Sequence, residues 1–379
     1  MLELAAGRCI IGSVSRSGLH HAFAGSILAL LLSGRTIGAL GPDLARPQRW
    51  VEYPGNPVFV APPELGYATF PTVLYDANRF GRMDGPFYKL WFDSARGLFY
   101  ADSLDGRVWE HIRPGGAGLR NPMQGKILYD ARCFGRPPFA YRIWYADSKQ
   151  APNGPLRTAS STDGLEWTDD QEAPGVYLPE HKWSRRGYGV IAVLHHSGAA
   201  KEVNPYEPLG NRFLLFYECF ILTGKGMCEI ALAVSGDGVH FRIVGDGPVI
   251  PCGGRDRKLW DADYATFGSI LEYGGKLHAW YSGGRDENVD LLFSGVGYAV
   301  SDDGLRWQKA AFNPVVSWKD VQWRWGTCSM PQVLCDPARF SATGERNGPI
   351  FKMFLCGSEN SKFFTTDWRV NVGVLKLAD

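Results

Sequence analysis

Three carboxyl-bearing residues interrupt stretches that are otherwise apolar or small, and they mark where this 379-residue chain could do chemistry. Glu218 follows Phe216-Tyr217 and precedes Cys219. Asp93 holds the matching place after Trp91-Phe92. Asp263 stands immediately before Tyr264-Ala265-Thr266-Phe267, with Asp261 two residues earlier and therefore on the same side of an extended strand. A carboxyl group in apolar surroundings can keep its proton near neutral pH, so it can serve as an acid as well as a base. For Asp93, and for Asp147, a plainer reading is also open, in which the carboxylate bonds to the turn after its strand. The sequence contains no Gly-rich phosphate loop, Ser-His-Asp order or zinc signature. His181, His195 and His196 lack ligand-like spacing, and the eight cysteines include no Cys-x-x-Cys pair. Neither a metal nor a cofactor is expected.

Such groups need rigid elements behind them, and a repeat supplies those elements. The phrase Ser-x-Asp-Gly-x-x-Trp/Phe occurs at Ser103–Trp109, Ser161–Trp167, Ser235–Phe241 and Ser301–Trp307. Its aromatic residues fall 58, 74 and 66 positions apart, the span of one four-stranded sheet with its loops. Asp-Gly favours a tight turn in which Ser and Asp side chains bond nearby amides, so Asp105, Asp163, Asp237 and Asp303 are turn residues. Upstream of each phrase lies an aromatic, β-prone run: Tyr88–Phe92, Tyr141–Tyr145, Phe213–Tyr217 and Leu277–Tyr281. A fifth run, Phe351–Leu355, has no phrase after it. Small, apolar stretches at Tyr67–Leu74 and Tyr264–Leu271, with looser versions at Gly187–Leu194 and Cys328–Leu334, suit the innermost strand of each unit.

The fifth unit lacks an outer strand, and Arg49–Val58 matches the outer-strand segment Arg306–Val315. Pairing the first strand with the last sheet would remove an exposed edge. The expected fold is all-β, a five-bladed β-propeller closed by its N-terminal strand, over residues 48–379. Residues 1–47 stand outside the repeat. Arg8 and Arg16 precede an apolar stretch from Ala22 to Leu32, which is too short to span a bilayer. It reads either as an imperfect secretory leader, implying a secreted or periplasmic protein, or as an unstructured extension of a cytoplasmic one. Forty basic and thirty-nine acidic residues, with no long basic run, argue against a nucleic-acid partner.

The repeat and blade count resemble the clan of five-bladed glycosidases that includes arabinanases, β-xylosidases, invertases and levansucrases, with the related mannoside phosphorylases. This resemblance implies a funnel at the propeller axis, lined by the beginnings of the inner strands. It also implies a pair of carboxyl groups across a glycosidic bond, one protonating the departing oxygen and the other attacking or activating water. Glu218 is then the general acid, with Asp263 or Asp93 as base or nucleophile. The substrate-binding candidates are Asp261, Arg120, Arg185, Arg186 and Arg285, together with Trp323 and Trp325. Guanidinium groups there would grip an acidic sugar or phosphate in a two-pronged way, or simply neutralise nearby carboxylates. Trp183 and Trp260 stand in similar segments, and all four tryptophans would either stack on sugar rings or pack between blades. One departure stands out: the glycosidases begin their first inner strand with an Asp before a small residue or Pro, and this chain has Phe70-Pro71. The expected function is a glycoside hydrolase or transglycosidase acting on an oligo- or polysaccharide. A non-catalytic sugar-binding propeller and a phosphate-dependent phosphorylase stay open beside it.

Overall fold

The computed structural model describes residues 42–178, 180–196, 212–221, 227–254, 256, 258–285, 295–320, 328–358 and 370–378. The expected leader up to residue 41 lies outside them. Leu44 is already buried, packed with Trp280 and Leu377.

The described strands form antiparallel meanders. After β1 (Trp50–Glu52) come β2 (Thr69–Tyr75), β3 (Tyr88–Ser94), β4 (Gly97–Ser103) and β5 (Glu110–Pro114), a four-stranded sheet. A second sheet holds β6 (Pro122–Tyr129), β7 (Tyr141–Asp147), β8 (Leu156–Ser161) and β9 (Thr168–Ala173). A nine-stranded sheet follows, made of two meanders. One is β10 (Val190–His195), β11 (Phe213–Ile221), β12 (Met227–Ser235) and β13 (Arg242–Val244). The other is β14 (Tyr264–Tyr273), β15 (Lys276–Gly284), β16 (Gly295–Ser301), β17 (Gln308–Lys309) and β18 (Val316–Ser317). A single parallel pairing, Cys228 with Tyr264, joins them. The last sheet runs β1, β21 (Val370–Leu377), β20 (Phe351–Ser358) and β19 (Cys328–Cys335). Among the described residues no helix is long and apolar enough to cross a membrane.

The N-terminal strand takes the outer position of the last sheet. Trp50 pairs with Leu377, and Asn56 bonds both the N–H and the C=O of Val374. Asn313 does the same to Tyr298 in the fourth meander, which bears out the likeness between the two segments. The missing fifth phrase is also replaced from the N-terminus. Trp91 donates its indole N–H to the Gly164 carbonyl of the next meander at 2.7 Å, and Trp144 to that of Gly238 at 2.8 Å. Trp280 instead donates to the Gln48 side chain at 3.0 Å, which Trp50 shares at 3.1 Å.

Each repeated phrase is a self-bonded turn. Ser161 Oγ accepts the Gly164 N–H at 2.9 Å, and Asp163 Oδ1 accepts those of Leu165 and Glu166 at 2.8 and 3.1 Å. The pattern recurs at Ser103, Ser235 and Ser301. The Gly164 amide is buried, so Ser161→Ala is expected to cost about 1–3 kcal/mol, the penalty of an unsatisfied buried donor. Urea unfolding of the variant against the parent measures it.

The first strands of the meanders meet one another: β2 packs on β6, β6 on β10, β10 on β14, β14 on β19, and β19 again on β2. Four of them carry a bulge where a non-glycine residue takes the left-handed conformation: Phe70 (φ 50°), Gln124 (φ 50°), Phe267 (φ 29°) and Met330 (φ 56°). Each precedes Pro or Gly. These four residues and Val190 surround a central cavity of only about 10 Å³. The rings of Phe70 and Phe267 meet at 5.0 Å, and the Phe70 N–H points at Met330 Sδ at 3.4 Å. Phe70, Phe267 and Met330 therefore fill this centre together with the polar side chains of Gln124 and Lys126. A left-handed non-glycine residue costs roughly 1–3 kcal/mol, and four of them gathered in one place is the kind of strain that collects at working sites.

Candidate active site

Asp93 and Glu218 occupy matching positions in the second strands of their meanders, beside the starts of β2 and β10. The three other matching residues are Ala146, Ser282 and Cys356, so only these two positions carry carboxyls. Both side chains are buried.

Asp93 Oδ2 accepts the Gln124 N–H at 2.7 Å. Burial pushes its carboxyl up to about 7, with the Gln124 amide and Lys126 pulling it part of the way back. Lys126 lines the small central cavity, and its ammonium donates to the Pro71 carbonyl at 3.1 Å and to Gln332 Oε1 at 3.2 Å. Burial lowers the Lys126 ammonium to about 8, against the pull of Cys356 and Asp93. Asp93 also lines a cavity of about 480 Å³ with Tyr67, Thr69, Met123 and Gln124.

Burial likewise pushes the Glu218 carboxyl up to about 7; Cys228, Thr266 and the Tyr188 N–H offset part of that rise. The Tyr188 amide reaches Oε2 at 3.4 Å. Gln124 Oε1 and Arg186 Nε are buried with no hydrogen-bond partner among the described residues. No cation is among the groups that shift Glu218, whereas Lys126 favours ionised Asp93. Burial nevertheless brings both carboxyls to about 7, so each can hold a proton near neutral pH.

Two residues connect them. The Gln124 N–H holds Asp93, and the Gln124 side chain packs so closely on Gly189 that a Cβ there would strike it. The Gly189 carbonyl in turn accepts the Glu218 N–H at 3.1 Å. Asp263 is buried, and its backbone carbonyl accepts the N–H of Cys228 at 3.4 Å. Glu218, Thr266 and Cys228 thus form one cluster, with the Asp263 backbone beside Cys228, and Asp93, Gln124 and Lys126 form its neighbour.

The other expected residues fall as follows. The Asp261 carboxylate is engaged by Lys309 at 2.6 Å and by the Tyr281 hydroxyl at 2.9 Å. Arg120 pairs with Asp147 at 3.0 Å, the neutralising role that was its plainer reading. Arg185 is exposed, Arg285 is half-buried after β15, and the Arg186 guanidinium lies over the Phe220 ring at 6.0 Å. Trp323 and Trp325 lie outside the described residues. Trp260 packs against Gly283, Gly297 and Tyr281, which is the packing role. Among the described residues no cluster of His, Cys, Asp and Glu could hold a metal.

Lys126 and Gln124 did not figure among the sequence candidates. The inner strand of the second meander, Pro122–Tyr129, was not among the expected inner runs because these two polar residues break the small, apolar pattern. That interruption is itself the signal, the same one that singled out Glu218.

The raised carboxyl of Asp93 has a consequence for stability. In the unfolded chain it titrates near 4, so the native state holds a proton that the unfolded state releases. The contribution is full below about pH 4 and is lost as pH rises through about 7. Asp93→Asn should therefore gain on the parent protein between pH 4 and pH 8, by an amount on the order of 2–4 kcal/mol. Denaturant unfolding of both proteins at the two pH values tests this, and a constant difference would contradict it.

No protein-family profile and no curated protein matches the chain. Solved structures do. A thermostable family-43 glycoside hydrolase aligns at 18% identity and TM-score 0.52, over 82% of this chain and 93% of that one. So does a structure described under the GH130 family of mannoside phosphorylases, which contains glycoside hydrolases that target β-1,2 mannosidic linkages in Candida mannan; it aligns at 15% identity and TM-score 0.55, over 88% and 95%. An N-acetylgalactosamine deacetylase from F. plautii, in complex with blood group B trisaccharide, aligns at 13% identity and TM-score 0.51, over 86% and 95%. The chain has the β-propeller fold of these glycoside hydrolases and phosphorylases, as the sequence resemblance implies.

Proposed function

We propose that the chain is a glycan-active enzyme that cleaves a glycosidic bond with Glu218 as general acid and Asp93 as base or nucleophile. Asp263 is the third carboxyl, beside the acid. The five meanders are the five blades of a ring that β1 closes, and the substrate enters where the inner strands begin. One observation carries this: two buried carboxyls, alone among five matching positions, both pushed to about 7, and joined through Gln124 and Gly189. Both carboxyls can hold a proton near neutral pH, and the pull of Lys126 toward ionised Asp93, with no cation acting on Glu218, is the ground for assigning Asp93 as base and Glu218 as acid. Export through residues 1–47 belongs to the same proposal, since a polysaccharide substrate lies outside the cell.

A second reading, a sugar-binding propeller without turnover, rests on the plug of Phe70, Phe267 and Met330 at the place where the glycosidases carry an inner-strand Asp. A panel of polysaccharides and aryl glycosides, assayed with and without phosphate, separates the cases. Turnover independent of phosphate and lost in Glu218→Gln supports the hydrolase. Turnover only with phosphate would make it a phosphorylase, and binding without turnover on any substrate would leave the sugar-binding propeller.

A further inference from the structure

Lys89 sits near the start of β3, four residues before Asp93 and so roughly 13 Å away along the strand. At this opposite end, its ammonium donates to the Tyr141 hydroxyl at 2.7 Å and to the Asp163 carbonyl at 3.3 Å. The matching Arg142 in β7 donates to the Asp237 carbonyl at 2.6 Å, so gripping the turn of the next meander is a structural habit of this position. Lys352, the match in β20, adds a carboxylate: Glu345 lies 2.6 Å from it, and the Tyr88 hydroxyl 3.0 Å. Among the described residues no carboxylate takes the corresponding place beside Lys89. An ammonium has three N–H donors, and two of those on Lys89 are engaged.

A cavity of about 720 Å³ opens over Lys89, between the first and second meanders. Its rim carries Arg82, Asp84, Glu110, His111 and Arg113. The inner carboxylates here are already engaged. Asp163 is bonded within its turn, and Asp102 accepts from the Tyr100 hydroxyl at 3.0 Å and faces His111 at 2.8 Å. Asp84 lies 3.6 Å from Arg82, and Glu110 is exposed at the rim. Arg113 makes no ion pair among the described residues and lies over the Tyr100 ring at 5.2 Å, with Lys89 over the same ring at 5.9 Å. Both cations thus lie near the Tyr100 ring, Lys89 also lying over Phe80 at 4.8 Å and Tyr141 at 4.6 Å, while the carboxylates around them are mostly bonded elsewhere. Burial lowers the Lys89 ammonium to about 8; Asp163 and Asp102 pull it back, and Arg82 and Arg113 push it further down.

We propose that this cavity is a second ligand site, one that takes a small oxyanion, the carboxylate or phosphate group of a small molecule, on Lys89 and Arg113. The anion stands where Glu345 stands beside Lys352. The site is independent of the carboxyl pair at the other end of β3, and it does not rest on glycan cleavage.

Calorimetric titration with inorganic phosphate, with glucuronate and with glucose tests it. At least one of the two anions should bind, and glucose should not. Phosphate alone would identify a phosphate group as the ligand, and glucuronate alone a carboxylate. Arg113→Gln, at an exposed position, should weaken binding roughly tenfold without changing the unfolding temperature, and Lys89→Gln should weaken it at least as much. Glu218→Gln should leave it unchanged. The proposal is overturned if neither anion binds, if glucose binds equally, or if Arg113→Gln binds like the parent while Arg186→Gln loses binding.

Discussion

Replacing Glu218 by Gln is expected to lower the rate of glycoside cleavage by about 10²–10⁴-fold, the usual contribution of a positioned proton donor, while the fold persists. Gln keeps the shape and the acceptor toward Tyr188 but cannot release a proton. The loss should appear in kcat more than in KM, because the proton moves only as the bond breaks. It should be smallest for substrates whose leaving group needs no protonation, such as dinitrophenyl glycosides. The variant should also be no less stable than the parent above pH 7, since a buried carboxyl that titrates near 7 would then have to be charged. Steady-state rates on a good and a poor leaving group, with unfolding curves at pH 8, test both halves. Equal rates for parent and variant on the poor leaving group would exclude Glu218 as the acid.

The second large effect is structural. Gly175 links the second and third meanders with φ 94°, and a Cβ there would run into the carbonyl of Phe241, whose N–H is held by the Pro174 carbonyl at 2.9 Å. Neither partner is a flexible side chain; both are backbone. Gly175→Ala is therefore expected to cost more than about 4 kcal/mol, in the range reserved for a few named mechanisms. Gly55, with φ 88° and nothing within 4 Å of a built Cβ, isolates the conformational part. Gly55→Ala should cost only about 1 kcal/mol. Urea midpoints for the two variants separate steric collision from backbone conformation, and similar losses in both would refute the collision at Gly175.

The order of the strands was largely legible in the residues. Asp-Gly turns, aromatic second strands and the match between Arg49–Val58 and Arg306–Val315 are local signals, and each corresponds to a bond seen in the structure. The interior of the site was less legible. Glu218 and Asp93 stood out because a charge in an apolar strand is conspicuous in one dimension. Lys126 did not, because its polarity hid the very strand that carries it. Asp261 has the same sequence credentials as Asp263, yet it is engaged by Lys309, a residue 48 positions away, at 2.6 Å.

What the sequence by itself determined was the repeat: which residues turn, which are buried in the second strands, and which segment is left to pair with the final sheet. Those properties follow from backbone preferences and hydrophobic periodicity, which act over a few residues. Only the tertiary structure decided which carboxyl meets which partner, that Phe70, Phe267 and Met330 gather with Gln124 and Lys126 where the first strands meet, and that no described carboxylate stands beside Lys89 as Glu345 stands beside Lys352. Burial and charge pairing depend on side chains brought together from different meanders, and no local pattern encodes that distance.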